Sequence, residues 1–215
     1  MFKLTQLIDF AAGADRAPAL AALADAGKAK QVVQAACLPT HEGVYNGGHL
    51  IWHVQFADEP SWRQWTREQK GRLGELPGVI HIEHAAYQAG PLRITRPGLA
   101  NGVYRVALFC AKHNVTPERV AQYDRETMEM GHYIKKIRNW QCSRVLEASG
   151  NRPWTHVWEQ EYDDISGLQG AYMLHPHHWA HIDRWYDPEC TDWLIDPYLC
   201  HTYADLPASV MTPKA

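Results

Sequence analysis

No apolar run in these 215 residues approaches the roughly 20 residues that a membrane-spanning helix needs. The first residues, Met1-Phe2-Lys3-Leu4-Thr5-Gln6, lack the basic and then apolar pattern of a secretory leader, so a soluble, cytoplasmic chain with no membrane partner is expected. A basic stripe is missing too. The 21 Lys and Arg are scattered among 24 Asp and Glu for a net charge of -3, which leaves nothing to neutralise a phosphate backbone and argues against nucleic acid as a partner. The five cysteines (Cys37, Cys110, Cys142, Cys190, Cys200) are odd in number and contain no C-x-x-C pair, which excludes a disulfide framework and a structural zinc site. They read as mostly reduced core residues.

What is present is one order of elements, twice. At this length the chain can bury a core as one large domain or as two of about 100 residues each. Residues 2–11 read as a strand, 16–29 as an Ala- and Leu-rich helix, and 31–39 and 49–57 as strands. A helix at 59–73, opened by Asp58-Glu59-Pro60, and a strand at 79–88 follow. Gly90-Pro91 and Pro97-Gly98 punctuate a linker. The series restarts with a strand at 103–111 and a helix at 117–136, where Thr116-Pro117-Glu118 supplies an N-cap and a first-turn proline. Strands at 138–148 and 154–162, a His-rich helical region from 164 to about 185, and a last strand at 194–203 complete it. The expected fold class is α+β, with two ferredoxin-like β-α-β-β-α-β repeats at 1–92 and 102–205.

Alternation assigns the strand faces. In 49–57, Leu50, Trp52, Val54 and Phe56 share a face suited to burial beneath helices, opposite His49, Ile51, His53 and Gln55. In 154–162, Trp154, His156, Trp158, Gln160 and Tyr162 share a face opposite Thr155, Val157, Glu159 and Glu161. Polar and aromatic side chains on an inner face are costly unless they line a cavity or are hydrogen-bonded. The His156 and Trp158 face is therefore expected to line a cavity between two packed four-stranded sheets. Trp62 and Trp65, at helical spacing, read as packing residues.

Chemistry concentrates in Tyr172-Met173-Leu174-His175-Pro176-His177-His178-Trp179-Ala180-His181, four histidines and a tyrosine around one proline. Proline disfavours the helical conformation at His175 and suits the first turn of a new helix, so the element should break and restart at Pro176. His177 and His178 would then stand in an N-terminal turn whose dipole opposes protonation, leaving a neutral imidazole fit to act as a base at pH 7. Tyr172 could donate to a carbonyl oxygen while His178 removes an α-proton, the minimum equipment for enolisation, aldol, isomerisation or lactonisation chemistry. His175 before a proline is more often a helix cap or a loop residue than a catalyst, and His177 with His181 could ligate a metal at i and i+4. The H-E-x-x-H pattern is absent, and no metal is assigned.

Trp154-Thr155-His156-Val157, followed by Leu168-Gln169-Gly170-Ala171-Tyr172-Met173-Leu174-His175-Pro176-His177-His178, resembles the stress-responsive dimeric α/β-barrel family. Its members carry a strand, a helix ending in a Tyr-x-x-His-Pro-x-His type signature, and a last strand. The resemblance covers about residues 102–204, while over 1–100 it rests on element order, because Pro60-Ser61-Trp62-Arg63-Gln64-Trp65-Thr66 holds no His-Pro-x-His. It implies that two ferredoxin-like units pair their sheets into a dimeric α/β barrel with a pocket in each unit, here within one chain. A barrel closed that way needs no partner, which leaves a further homo-oligomer open. Within the family the second half is most similar to plant olivetolic acid cyclase, which closes a polyketide by aldol condensation. That similarity implies a catalytic pair, Tyr172 and His178, a pocket histidine at His156, and no cofactor. Arg105 stands where that cyclase has a histidine. An arginine cannot serve as a base, but its fork can hold a carboxylate or enolate oxygen, which favours an anionic small-molecule substrate. Trp154, Trp158 and His175 complete the candidate substrate-binding set.

Three functions follow. The preferred one is a cofactor-independent lyase, isomerase or cyclase acting on a carbonyl or aromatic compound. The second is a cofactor-free monooxygenase or haem-binding barrel. The third is a non-enzymatic stress-response or binding protein in which the histidines are structural.

Overall fold

The computed structural model describes residues 1–73 and 75–211. Its first half runs β1 (Phe2–Phe10), α1 (Ala17–Ala26), β2 (Val32–Pro39), β3 (Leu50–Phe56), α2 (Glu59–Leu73) and β4 (Val79–Gln88). A short β5 (Leu92–Ile94) occupies the expected linker and pairs with β7. The second half runs β6 (Ala100–Phe109), α3 (Pro117–Tyr133), β7 (Asn139–Ser149), β8 (His156–Tyr162) and β9 (Cys200–Ala208). Between β8 and β9 stand two wide π-helical turns, Gly167–Tyr172 and His177–Ile182, and one tight turn, Asp183–Trp185.

Local chemistry explains these elements. In α3 the Thr116 hydroxyl accepts from Arg119 N, Pro117 occupies the first turn, and Tyr123, Thr127, Met130 and Gly131 recur on the buried face. Gly131 permits the contact with β7, since a Cβ there would run into the Trp140 ring, and the Trp140 indole N–H donates to Met128 O at 2.8 Å. The helical region expected at 164–185 breaks at Pro176, as the ring requires. The last strand begins at Cys200 rather than 194. Pro188, Pro197 and the turn in which Asp196 caps Tyr198 N keep the chain irregular until then, with Leu194 N and Ile195 N both bound to Trp185 O.

The sheet order is β2-β3-β1-β4-β7-β8-β6-β9, and each pairing along it is antiparallel. Each half has the ferredoxin-like order, and β4 joins β7 through His84↔Ser149 to Tyr87↔Val145. At the opposite seam, β2 meets β9 through the Thr40↔Ala204 bridge and the Gln34 side chain bonded to Ser209 O, so the sheet is a nearly closed barrel. Trp62 stacks on Phe2 at 4.5 Å and Trp65 donates to Ala26 O, both beneath α2 in the first half's outer core with Leu50, Trp52, Val54 and Phe56.

One face expectation is reversed. His156, Trp158, Gln160 and Tyr162 point out of the barrel toward α3 and the π-helical turns, while Val157, Glu159 and Glu161 point in. Trp154 lies before β8 and turns inward, where its indole N–H donates to Glu83 at 2.7 Å. The barrel interior is filled. Its apolar part includes Leu7, Ile51, Tyr87, Tyr104, Val106, Val157 and Leu206, drawn from both halves. Its polar part centres on Lys3, whose ammonium lies 3.1 Å from Glu159, with Tyr104 OH donating to the same carboxylate at 2.9 Å. His53, bonded to Thr5 at 3.0 Å, stands 3.8 Å from it. This network offsets the cost of burying the glutamates, and the cavity opens on the outer face instead.

Candidate active site

β6 is the central strand beneath the site. Arg105 lies directly across from Gln160 of β8 and from Tyr203 of β9, so its side chain shares their outward face. Its guanidinium donates to Gln160 Oε1 at 2.7 Å and reaches the Tyr172 hydroxyl at 3.4 Å, with its carbon 5.1 Å from the Tyr172 ring centroid. Tyr172 ends the first π-helical turn and His178 enters the second, so the break at Pro176 folds the two rings to a centroid distance of 4.3 Å. Arg105, Trp158, Tyr172 and His178 line a cavity of about 360 Å³ with Phe109, Met130, Tyr186, Leu199, His201 and Tyr45. That size suits a small organic molecule.

The electrostatics are set by burial beside one fixed cation. Burial first, then Arg105 and the neighbouring His175 and His177, lowers the His178 pKa to about 4, so its imidazole is neutral at pH 7. Burial, more than the dipole of a six-residue turn, therefore accounts for the neutral state. His201 is lowered further, by burial and then by Arg105. Burial raises the Tyr172 phenol above its ordinary value despite Arg105, so it stays a hydroxyl donor. Four buried nitrogens of the lining residues, Arg105 Nε, Trp158 Nε1, His178 Nδ1 and His201 Nε2, have no hydrogen-bond partner. Unmet buried polar atoms converging on one cavity are what a polar ligand would satisfy.

The remaining predicted residues stand elsewhere. His156 Nδ1 is 2.7 Å from the Thr155 hydroxyl and its Nε2 is 3.2 Å from Asp124 of α3, away from this cavity. Trp154 faces the barrel interior and stacks on Tyr198. His175 accepts from His177 N at 3.1 Å, a capping role. His177 stacks on Tyr133 at 4.1 Å, and among the described residues no group of three or more His, Cys, Asp and Glu is arranged for a metal ion. Sequence reasoning did not single out His201, Tyr186 or Tyr45. Strand alternation with Tyr203 could have found His201; Tyr45 comes from the other half and left no local signal.

The lowered histidines fix a stability prediction. A group whose folded pKa lies below its unfolded value leaves protons to the unfolded chain, so stability falls as pH drops from 6.5 toward about 4 for His53 and His178. Each contributes up to about 1.4 kcal/mol per pH unit in that window. Urea unfolding at pH 7 and pH 5 should show a lower midpoint at pH 5; equal midpoints would contradict buried neutral histidines.

Residues 103–196 match the model of the Stress responsive A/B Barrel Domain. No curated protein matches the sequence. Among solved structures, an anthrone oxidase-like protein aligns with TM-score 0.67 at 10% identity over 95% of this chain and 90% of its own. A candidate monooxygenase from Lactobacillus acidophilus NCFM aligns with TM-score 0.56 at 10% identity over 97% of both chains. A mutant chlorite dismutase from Candidatus Nitrospira defluvii aligns with TM-score 0.55 at 7% identity over 95% of this chain and 90% of its own. At such identities they speak for the fold alone. Among the described residues no helix is long and apolar enough to cross a membrane. Arg105, Trp158, Tyr172 and His178 of this cavity thus lie within residues 103–196, the stretch that matches the stress responsive A/B barrel domain, while Tyr45, Leu199 and His201 reach it from outside that stretch.

Proposed function

We propose that the chain is a small-molecule enzyme that removes a proton from a flat organic anion held in the Tyr172 and His178 cavity. The observation that carries this reading is the His178 ring 4.3 Å from the Tyr172 ring, centroid to centroid, beside a buried guanidinium with an unpartnered Nε, and burial favours the neutral imidazole and the protonated phenol. Arg105 would hold a carboxylate or developing enolate oxygen, His178 would take the proton, and Tyr172 would donate to the oxygen where charge develops. The chain's own residues suffice for such enolisation, so lyase, isomerase or cyclase outcomes are all within reach.

A second reading shares the first step. Phe109, Trp158, Tyr186 and Met130 give the cavity an aromatic and apolar wall that suits a phenol or anthrone-like ring. Deprotonation of such a substrate by His178 yields a phenolate or carbanion whose charge is delocalised onto a ring carbon. Dioxygen adds at that carbon, and loss of water from the peroxide leaves a carbonyl, so that one CH2 and one O2 give one C=O and one H2O, which is monooxygenase chemistry. Oxygen uptake with an added quinol separates the two readings.

A thermal-shift screen of aromatic acids, lactones, β-keto acids and haem, on wild type and His178→Ala at pH 6 and pH 8, tests the site. Stabilisation of wild type by one class, lost or altered in the variant, supports it. Ligands that stabilise both proteins alike would place the site elsewhere.

A further inference from the structure

The first half lacks the His-Pro-x-His signature, yet it contributes Tyr45 to the lining of the second half's cavity. The segment His41-Glu42-Gly43-Val44-Tyr45-Asn46-Gly47-Gly48 joins β2 to β3 and lies across the start of β9. Tyr45 N donates to His201 O at 2.9 Å and His201 N to Tyr45 O at 2.8 Å. The Asn46 amide donates to Leu199 O at 3.0 Å, and the Tyr203 hydroxyl donates to Glu42 O at 3.0 Å. Gly47 allows the approach, since a Cβ there would stand 2.5 Å from the Thr202 Cβ. Val44 packs against the second half's core.

Fixed in this way, Tyr45 reaches the cavity with 54% of its surface uncovered. An aromatic ring on a tied-down backbone can be covered by a flat ligand without the cost of ordering a loop. The same backbone bridge holds His201, whose Nε2 has no partner, against that cavity.

We propose that this loop is the specificity element of the second half's site, with Tyr45 stacking on an aromatic ring whose carboxylate meets Arg105. Flat aromatic carboxylates are thereby selected over aliphatic ones of similar length. The inference rests on the reading of the cavity above and names its substrate class.

The test is a calorimetric titration of 1-naphthoate and octanoate into wild type, Tyr45→Ala, Tyr45→Phe and Arg105→Gln. Tyr45→Ala should weaken 1-naphthoate roughly three- to ten-fold, the size of one aromatic contact, and leave octanoate nearly unchanged. Tyr45→Phe should bind like wild type, because the ring and not the hydroxyl makes the contact. Arg105→Gln should weaken both ligands. If Tyr45→Ala binds both as wild type does while Arg105→Gln weakens both, the loop's role is overturned and the cavity reading stands. If Arg105→Gln changes neither, or wild type binds no 1-naphthoate, both fail.

Discussion

Lys3→Met should destabilise the folded protein by about 3–5 kcal/mol, the cost of leaving one member of a buried ion pair without the other. Lys3 Nζ lies 3.1 Å from Glu159 Oε2, with side-chain exposures of 3% and 0%. Without it the carboxylate keeps the Tyr104 hydroxyl at 2.9 Å, which carries no charge. His53, 3.8 Å away, is held neutral by burial and partly by Lys3 itself, so it would titrate higher in the variant and compensate only in acid. Lys3 sits on β1 and Glu159 on β8, so the pair ties the two halves across the barrel. Adding Glu159→Gln to Lys3→Met removes the stranded charge and should recover most of the loss. Urea denaturation of the single and double variants checks this. A single-variant loss below about 1 kcal/mol would mean that the pair does not clamp the barrel.

His178→Ala should lower turnover roughly 10²- to 10⁴-fold once a substrate is in hand, the usual contribution of a positioned general base. Tyr172→Phe, which deletes one hydroxyl, should cost about 10²-fold while leaving the fold intact. The free protein's kcat/KM should rise as pH climbs through about 4 and then hold level past neutrality, because His178 is already neutral and the Tyr172 phenol stays protonated. A bound carboxylate offsets the Arg105 charge that opposes protonation of His178, so the corresponding limb of kcat should lie at higher pH. The structural alternative predicts something else: His178→Ala would shift the melting temperature and leave turnover and ligand binding unchanged.

Much of this was legible in the sequence because it is local. Thr116-Pro117 marks the start of α3, Pro176 marks the break between the turns, and period-two alternation finds the strands. The motif brought Tyr172 and His178 to attention, and the structure sets them ring against ring. Alternation alone could not tell which face of β8 lies inside, because both faces mix polar with apolar residues. Glu159 and Glu161 look like a solvent face until Lys3 of β1, Tyr104 and Asn139 of the flanking strands, and Ser209 just past β9 are brought to them. His156 shares the outward face with Trp158, yet it lies farther along the strand, where Asp124 meets it. Tyr45 and His201 meet through the barrel seam, a contact between residues far apart in the chain that no short window records.

Whether His178 is a neutral base facing an anion site is decided by an NMR titration of its imidazole from pH 8 down to pH 5, without and with 1-naphthoate. The ring should stay neutral to pH 5 in the free protein, in keeping with a pKa of about 4, and should take up protons at higher pH once the anion is bound. A midpoint at the ordinary 6.5, unmoved by 1-naphthoate, would contradict it.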